Sequence, residues 1–348
     1  MDNRIFFRDL SSEQARQFVD VRQIFGALRD AEIEARHRFA GTMAWKTVSG
    51  GEYLYRRRGP TERSLGRRSA ETEKAETAFR NGKARNAALI KGLRRRIEGM
   101  APVNVALGLG RVPNVVARIM RRLDTLGLLG PHVAVVGTNA LFAYETSAGA
   151  QFRSDLLATT DVDFALDVRR HLGLASALPA PGLVGVLQKI DPSFQMSRPG
   201  GFRAVNKDGF MVDLITTAPK DVLRRTSARR LSNYAEDISA VEVVKLHWLI
   251  HAPRFEAVAI AQNGLPLRLS VADPRFFAAH KLWLSERDDR APEQRGRDRQ
   301  QALAVATLLA GPLSNLALGD AVLAQLPVPL REELHRAVAA APVQRPIW

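Results

Sequence analysis

The sequence predicts an α+β fold, a small mixed β-sheet flanked by a helical, basic N-terminal region and a mostly helical C-terminal region. Three observations carry that expectation. Apolar runs at 132–136, 160–166 and 210–215 have the length and composition of strands. The stretch 11–40 repeats Phe18, Val21, Phe25 and Leu28 at helical spacing. Elements in the middle of the chain alternate as strand, helix, strand and hairpin, whereas those beyond Asp273 read as helices. The divisions fall at residues 1–130, 131–218 and 219–348.

With 348 residues and 46% hydrophobic content, the chain is long enough for two domains, or three pieces, with cores of their own. It has no cysteine, which excludes disulfides and cysteine-based zinc sites and fits a cytoplasmic location. Residues Met1–Asp9 are charged and lack an apolar signal core, and no run of 18 apolar residues occurs, so no membrane span is expected. The net charge of +15 is unevenly placed. Residues 1–130 hold 26 Lys+Arg against 14 Asp+Glu, while residues 131–348 hold 25 against 22. An acidic partner suits the first third, and nucleic acid is the commonest such partner. A solvated arginine-rich helical surface is the alternative reading.

In chain order, Ser11 or Ser12 caps the first helix. Trp45 to Tyr55 is a Gly-containing stretch, and Arg56-Arg57-Arg58-Gly59-Pro60 reads as a turn. Ser69 opens a second helix, with Glu71 and Glu73 in its first turn and Arg94-Arg95-Arg96 at its end, matching the helix dipole. Gly99, Pro102, Gly108 and Gly110 mark a loop. Pro113 opens a third helix that closes at Gly127 and Gly130. The strand 132–136 runs into a Gly137-Thr138 turn and a helix from Asn139. Residues 178–185 form a loop beside a short helix near Val186 and Leu187. Phe202 to Ile215 is a hairpin with Lys207-Asp208-Gly209 at its tip. Glu256 to Val271 holds short strands parted by Gln262-Asn263-Gly264. Asp273-Pro274 starts a helix, Leu303 to Leu309 lies in another, and Pro327 to Trp348 is a short helix and tail.

The chemistry centres on aspartates placed in apolar strands. Residues i and i+2 of a strand share a face, so Asp161 and Asp163 project together, and a neighbouring strand can bring Asp213 alongside. Carboxylates buried in strands are costly unless a positive partner neutralises them. Three on one point suit divalent metal: a pair of Mg²⁺ ions roughly 4 Å apart, one activating a hydroxyl and one steadying a leaving pyrophosphate. Exposed aspartates on an edge strand are the plain alternative. Gly137 lets backbone approach a phosphate, and the helix start after it offers free N–H groups, with Thr138 and Asn139 adding side-chain donors. An ordinary strand-to-helix turn looks the same. The pattern is not Gly-x-Gly-x-x-Gly, so a dinucleotide site is not expected.

Together, Gly137-Thr138, Asp161-Val162-Asp163 and Asp213 resemble the nucleotidyltransferase superfamily built on the DNA polymerase β type of palm. The runs 135–145 and 160–164 are similar to a bacterial group of uncharacterised nucleotidyltransferase-fold proteins. Asp273 to Trp283 resembles the helix after the palm in abortive-infection and toxin-type members. That likeness sets Lys281-Leu282, Arg287 or Arg290, and Arg297-Asp298 at family positions, and implies that Lys281 meets nucleotide phosphates. Thr138 stands where serine is usual, and a hydroxyl is retained.

The resemblance implies a Mg²⁺- or Mn²⁺-dependent transfer of a nucleoside monophosphate from an NTP to a hydroxyl. Asp161 and Asp163 would bind metal, and Asp213 would complete the site and help deprotonate the acceptor. Gly137, Thr138, Asn139 and Lys281 would hold the phosphates. RNA, especially a tRNA 3′ end, fits the basic N-terminal third, and a toxin or defence role with an antitoxin partner follows from the resemblance alone. A protein or small-molecule acceptor stays open, as does a non-catalytic nucleic-acid-binding scaffold. His280 reads as a half-buried structural residue or a site residue. His247 and His251, four apart, lack the further ligands of a zinc site. Glu145 reads as a solvated charge at a helix end, and Asp208 as turn chemistry. Trp45, Lys46, Tyr53, Tyr55, Arg56 to Arg58, Arg67 and Arg68 either grip phosphates and stack bases or pack their rings inward.

Overall fold

A computed structural model describes residues 6–166, 182–198, 200–217, 234, 237–242 and 247–342. The chain forms two compact units. One takes Met1–Ala15, Gly110–Gln262 and Leu267–Trp348, and the other Arg16–Leu109 with Asn263–Pro266.

After a short strand β1 (Phe7–Asp9), helix α1 (Ser12–His37) starts where Ser11 Oγ accepts from the Gln14 N–H at 3.2 Å. The region expected to be helical then departs from that reading. Strands β2 (Thr42–Val48), β3 (Gly51–Arg58) and β4 (Thr61–Arg67) form an antiparallel sheet, so Arg56 to Arg58 end a strand and only Gly59-Pro60 turns. Most residues of β2 and β4 are exposed, which removes the alternation that announces a strand. Helix α2 (Ala70–Ala106) begins at a capping box between Ser69 and Thr72 and runs through Gly99 and Pro102, where a loop was expected. Proline removes one helical bond. The next turn is nevertheless tethered, because buried Asn104 accepts from Gln17 Nε2 at 2.8 Å and donates to Gly264 O at 2.8 Å. Leu28 and Ala31 of α1 meet Leu93 and Ile97 of α2 in a small core.

In the larger unit, α3 (Asn114–Thr125) follows Pro113 and stops before Gly127, as its spacing predicts. Val116, Ala117, Ile119, Met120 and Leu123 bury its face in the main core. The units therefore part near Gly110 rather than at 130. The expected division at 218 and 219 lies outside the described residues, but the elements on either side share one core. Next come β5 (Val133–Val136), a 3₁₀ turn (Thr138–Ala140), α4 (Leu141–Ala148) and β6 (Ala150–Phe152), which pairs with β1. Then follow α5 (Ser154–Leu157), β7 (Asp161–Leu166), α6 (Leu183–Gln188), β8 (Gln195–Met196), β9 (Arg203–Val205), β10 (Met211–Thr216) and β11 (Val241–Glu242). Helix α7 (His247–Ile250), β12 (Arg254–Ile260), β13 (Pro266–Ala272), α8 (Pro274–Ser285), α9 (Pro292–Ala310), α10 (Asp320–Leu323) and α11 (Val328–Ala339) complete the order.

The central sheet runs β12-β13-β5-β7-β10-β9-β8, with β11 also paired to β10. The fold is α+β, and the hairpin β9–β10 stands where the pattern placed it. Strands β12 and β13 flank the expected Gln262-Asn263-Gly264 break but join the central sheet through β13–β5. They are part of the central sheet rather than of a separate C-terminal region. Val162, Phe164, Ala165 and Leu166 bury β7 completely, so Asp161 and Asp163 are its polar positions. Residues 178–181 of the expected loop and the tail from 343 lie outside the described residues, while 183–185, also expected in that loop, belong to α6. Among those described, no helix is long and apolar enough to cross a membrane.

Candidate active site

Strands β7 and β10 are parallel neighbours, with Asp163 in register with Asp213 and Asp161 with Met211. Side chains alternate along a strand, so all three carboxylates leave one face of the sheet. On the other side of β7, antiparallel β5 sets Val136 opposite Asp163. The turn after β5 therefore stands beside that carboxylate. Gly137 has φ 72° and ψ −161°. A Cβ there would lie 2.2 Å from Asp163 Oδ2. Glycine thus admits the Asp163 carboxylate as much as any phosphate.

Burial pushes the Asp163 carboxyl up to about 7; Asp161 and Asp213 add to this, while Lys281 and Arg203 oppose it. Buried Asp213 is held in a bidentate pair by Arg203, Nε at 2.7 Å and Nη2 at 2.6 Å. Arg203 is its register partner on β9. Sequence reading missed this arginine, although counting back from the Lys207-Asp208-Gly209 tip pairs the two positions. The tip is turn chemistry: Asn206 Oδ1 accepts from the Asp208 and Phe210 N–H groups. Asp161 accepts from the Thr159 hydroxyl.

Thr138 and Asn139, expected to meet phosphates, are buried. Asn139 is buried and donates to Asp161 O at 2.7 Å, tying the turn to β7, while its Oδ1 is buried with no hydrogen-bond partner among the described residues. Thr138 Oγ1 accepts from Gln301 Nε2 at 3.3 Å, and the same amide donates to Leu156 O at 2.7 Å. Gln301 comes from α9, far along the chain, and no local signal marked it. By accepting there, the Thr138 hydroxyl keeps its own hydrogen for another acceptor.

Opposite the sheet stands α8, capped by Asp273, whose Oδ1 accepts from the Arg275 N–H at 2.9 Å. Lys281 is buried, with Nζ 2.7 Å from Asp298 Oδ1. Arg290 Nε lies 3.0 Å from Asp298 Oδ2, so two cations share one carboxylate. Burial draws the Lys281 ammonium down, and Asp298 opposes it. A cavity of about 510 Å³ opens between sheet and helix, with Gly137, Asp161 and Asp163 on one side and Lys281, Trp283 and Arg290 on the other. Asp213, the register partner of Asp163, and the turn residues Thr138 and Asn139 are not among its lining residues. His280 also lines the cavity, yet it is buried between Trp248 and Trp283, and burial lowers its imidazole to about 3.

Three hard oxygen donors on one sheet face, with Asp163 destabilised as an anion, fit a divalent cation. Among the described residues, however, no three metal-capable side chains lie together, which applies to the aspartates and to His247 and His251 alike. Arg203 now neutralises Asp213, so the donor set fits a cation without forming a closed cage. Glu145 corrects its reading as a solvated charge: it is buried and accepts from Arg111 and from the Phe152 N–H at 2.9 Å. In the smaller unit, Arg68 lies 5.2 Å over the Trp45 ring and Lys46 lies 5.3 Å over Tyr55. Those rings already carry cations of their own.

A helix-flanked mixed sheet with paired aspartates facing a basic helical wall defines a nucleotidyl-transfer class of α+β protein. The sequence model of the family described as nucleotidyltransferase matches residues 114–326. That is more than half of the chain, and the chain belongs to this family. No curated protein and no solved structure matches it.

Proposed function

We propose that the protein moves a nucleoside monophosphate from an NTP to a hydroxyl of RNA, with a tRNA 3′ end as the favoured acceptor. The acceptor oxygen bonds to the α-phosphorus, the α–β bridging P–O bond breaks, and pyrophosphate leaves. The observation that carries the reading is the register of Asp163 with Asp213 beside Gly137, facing a basic wall. Asp161, Asp163 and Asp213 are the residues that would hold Mg²⁺ or Mn²⁺, which when bound supplies charge neutralisation at the phosphoryl oxygens. Asp213 receives the acceptor's proton, with Arg203 orienting its carboxylate. Lys281 and Arg290, sharing Asp298, present a net positive charge to the β- and γ-phosphates. The Thr138 hydroxyl, oriented by Gln301, donates to a phosphate oxygen.

RNA as acceptor rests on the excess of Lys and Arg in residues 1–130. A toxin or defence role in the cytoplasm, with an antitoxin partner, rests on the resemblance of residues 273–298 and is tested by growth arrest on expression and its relief by a co-expressed neighbouring gene. The activity is tested with α-labelled NTPs, Mg²⁺ or Mn²⁺, and a pool of RNA, protein and small acceptors. Label is expected in RNA with the wild type and not with Asp161→Ala/Asp163→Ala. No transfer to any acceptor, or equal transfer by the variant, overturns the reading.

One observation favours a second reading. Asp213 is engaged by Arg203 and Lys281 by Asp298, as in a palm kept as a nucleic-acid-binding scaffold. Calorimetry separates the two, since a scaffold shows salt-dependent RNA binding but no Mg²⁺-dependent NTP binding.

A further inference from the structure

The cavity wall carries a feature that phosphate and metal chemistry leave unused. His280, Trp283 and Arg287 follow one another along one side of α8 and the turn after it, and all three line the cavity that holds Asp161 and Asp163. The rings of His280 and Trp283 are stacked, 6.0 Å apart and inclined by 24°. The Arg287 guanidinium lies 4.7 Å from the Trp283 ring centre. The planar groups thus form a short column beside the carboxylates.

The two ends of that column are held differently. His280 is buried, and Trp248 packs edge-on against it at 6.0 Å and 70°. Arg287 is more than a third exposed and is ion-paired to Asp289, itself exposed and only two residues away. One neighbour of the indole is locked in the core. The other is a surface side chain on a local tether, and exposed pairs of this kind hold weakly. Bases and guanidinium groups bind indole faces by the same stacking and cation–π forces.

We propose that Trp283 is the base platform of the site: the base of a nucleoside triphosphate stacks on the indole where Arg287 now lies, and Arg287 swings to cover the base's far face. The proposal rests on the nucleotidyltransferase reading above and adds the part of the substrate that the aspartates and Lys281 do not touch. A cavity of about 510 Å³ has room for a base and ribose as well as phosphates. Every base offers a π-face, so the platform accepts all four and favours the larger purines.

The test measures Mg²⁺-dependent binding of ATP, CTP and inorganic tripolyphosphate to the full chain by calorimetry, for the wild type, Trp283→Phe and Trp283→Ala. Trp283→Ala is expected to weaken ATP about ten-fold, CTP less, and tripolyphosphate not at all, with Trp283→Phe close to the wild type. ATP should quench indole fluorescence in the wild type, and most of that quench should vanish in Trp283→Phe. Unchanged ATP affinity in Trp283→Ala overturns the proposal, as does an equal loss for tripolyphosphate, which would make Trp283 a wall residue only. Wild-type protein that binds ATP no better than tripolyphosphate also overturns it while leaving the nucleotidyltransferase reading in place. Binding of neither ligand defeats both.

Discussion

The two sides of the cavity are built on different principles. On the sheet side, backbone register places Asp161, Asp163 and Asp213 on one face, where the charges of Asp161 and Asp213 add to the burial that disfavours ionised Asp163. On the helical side, Lys281, Arg290 and Asp298 are placed by one another through ion pairs at 2.7 and 3.0 Å. The first arrangement keeps unfavourable charge that packing alone does not require. The second balances charge and contributes to the fold. Substitutions should therefore separate activity from stability on the sheet side and couple them on the helical side.

The largest effect is expected at Asp163. Asp163→Asn should lower nucleotidyl transfer at least on the order of 10³-fold, while raising the melting temperature in metal-free buffer, because it removes a carboxylate that burial disfavours. Transfer assays and thermal melts on the same preparation check both. A fall in melting temperature would place the Asp163 carboxylate among the stabilising groups and erase the contrast. On the helical side, Asp298→Ala leaves Lys281 buried without its counter-charge and should cost about 3–5 kcal/mol in urea unfolding. Lys281→Met in the same chain should restore part of that loss, and simple additivity of the two would deny the coupling.

Arg203 joins the two principles, being placed by register and also ion-paired. Arg203→Gln should reduce stability without divalent ions. It should also tighten Mn²⁺ binding about ten-fold, seen as a larger Mn²⁺-induced thermal shift and in the paramagnetic signal of free Mn²⁺. An unchanged Mn²⁺ affinity would mean that the arginine does not compete for Asp213.

How much of the molecule was legible follows the same line. Asp161, Asp163, Asp213, Gly137 and the hairpin were readable because strand period and turn chemistry are local. The pairing of Arg203 with Asp213 needed only register. Gln301 meets Thr138 and Asp298 meets Lys281 across separate elements, and no periodicity records such contacts. Strands β2 and β4 escaped because most of their side chains are exposed, and Pro102 misled because a tertiary tether at Asn104 outweighs a local stop signal. The family match, residues 114–326, lies within the sequence span that contributes most of the larger unit.

The smallest expected effect concerns a carboxylate away from the aspartates. Burial pushes Glu145 up to about 7 from an ordinary 4.5, against the pull of Arg111. The folded chain then holds a proton that the unfolded chain has released, so this residue's contribution is fully present below 4.5 and is lost as pH rises through about 7. Glu145→Gln keeps the shape and cannot titrate. The variant should gain on the wild type as pH rises from 4.5 to 7, in unfolding measured at matched ionic strength. A difference that stays constant over that range would show that the Arg111 pair holds Glu145 at its ordinary value. Glu145 would then belong with Asp298, among carboxylates stabilised by a partner, rather than with Asp163, which burial strains.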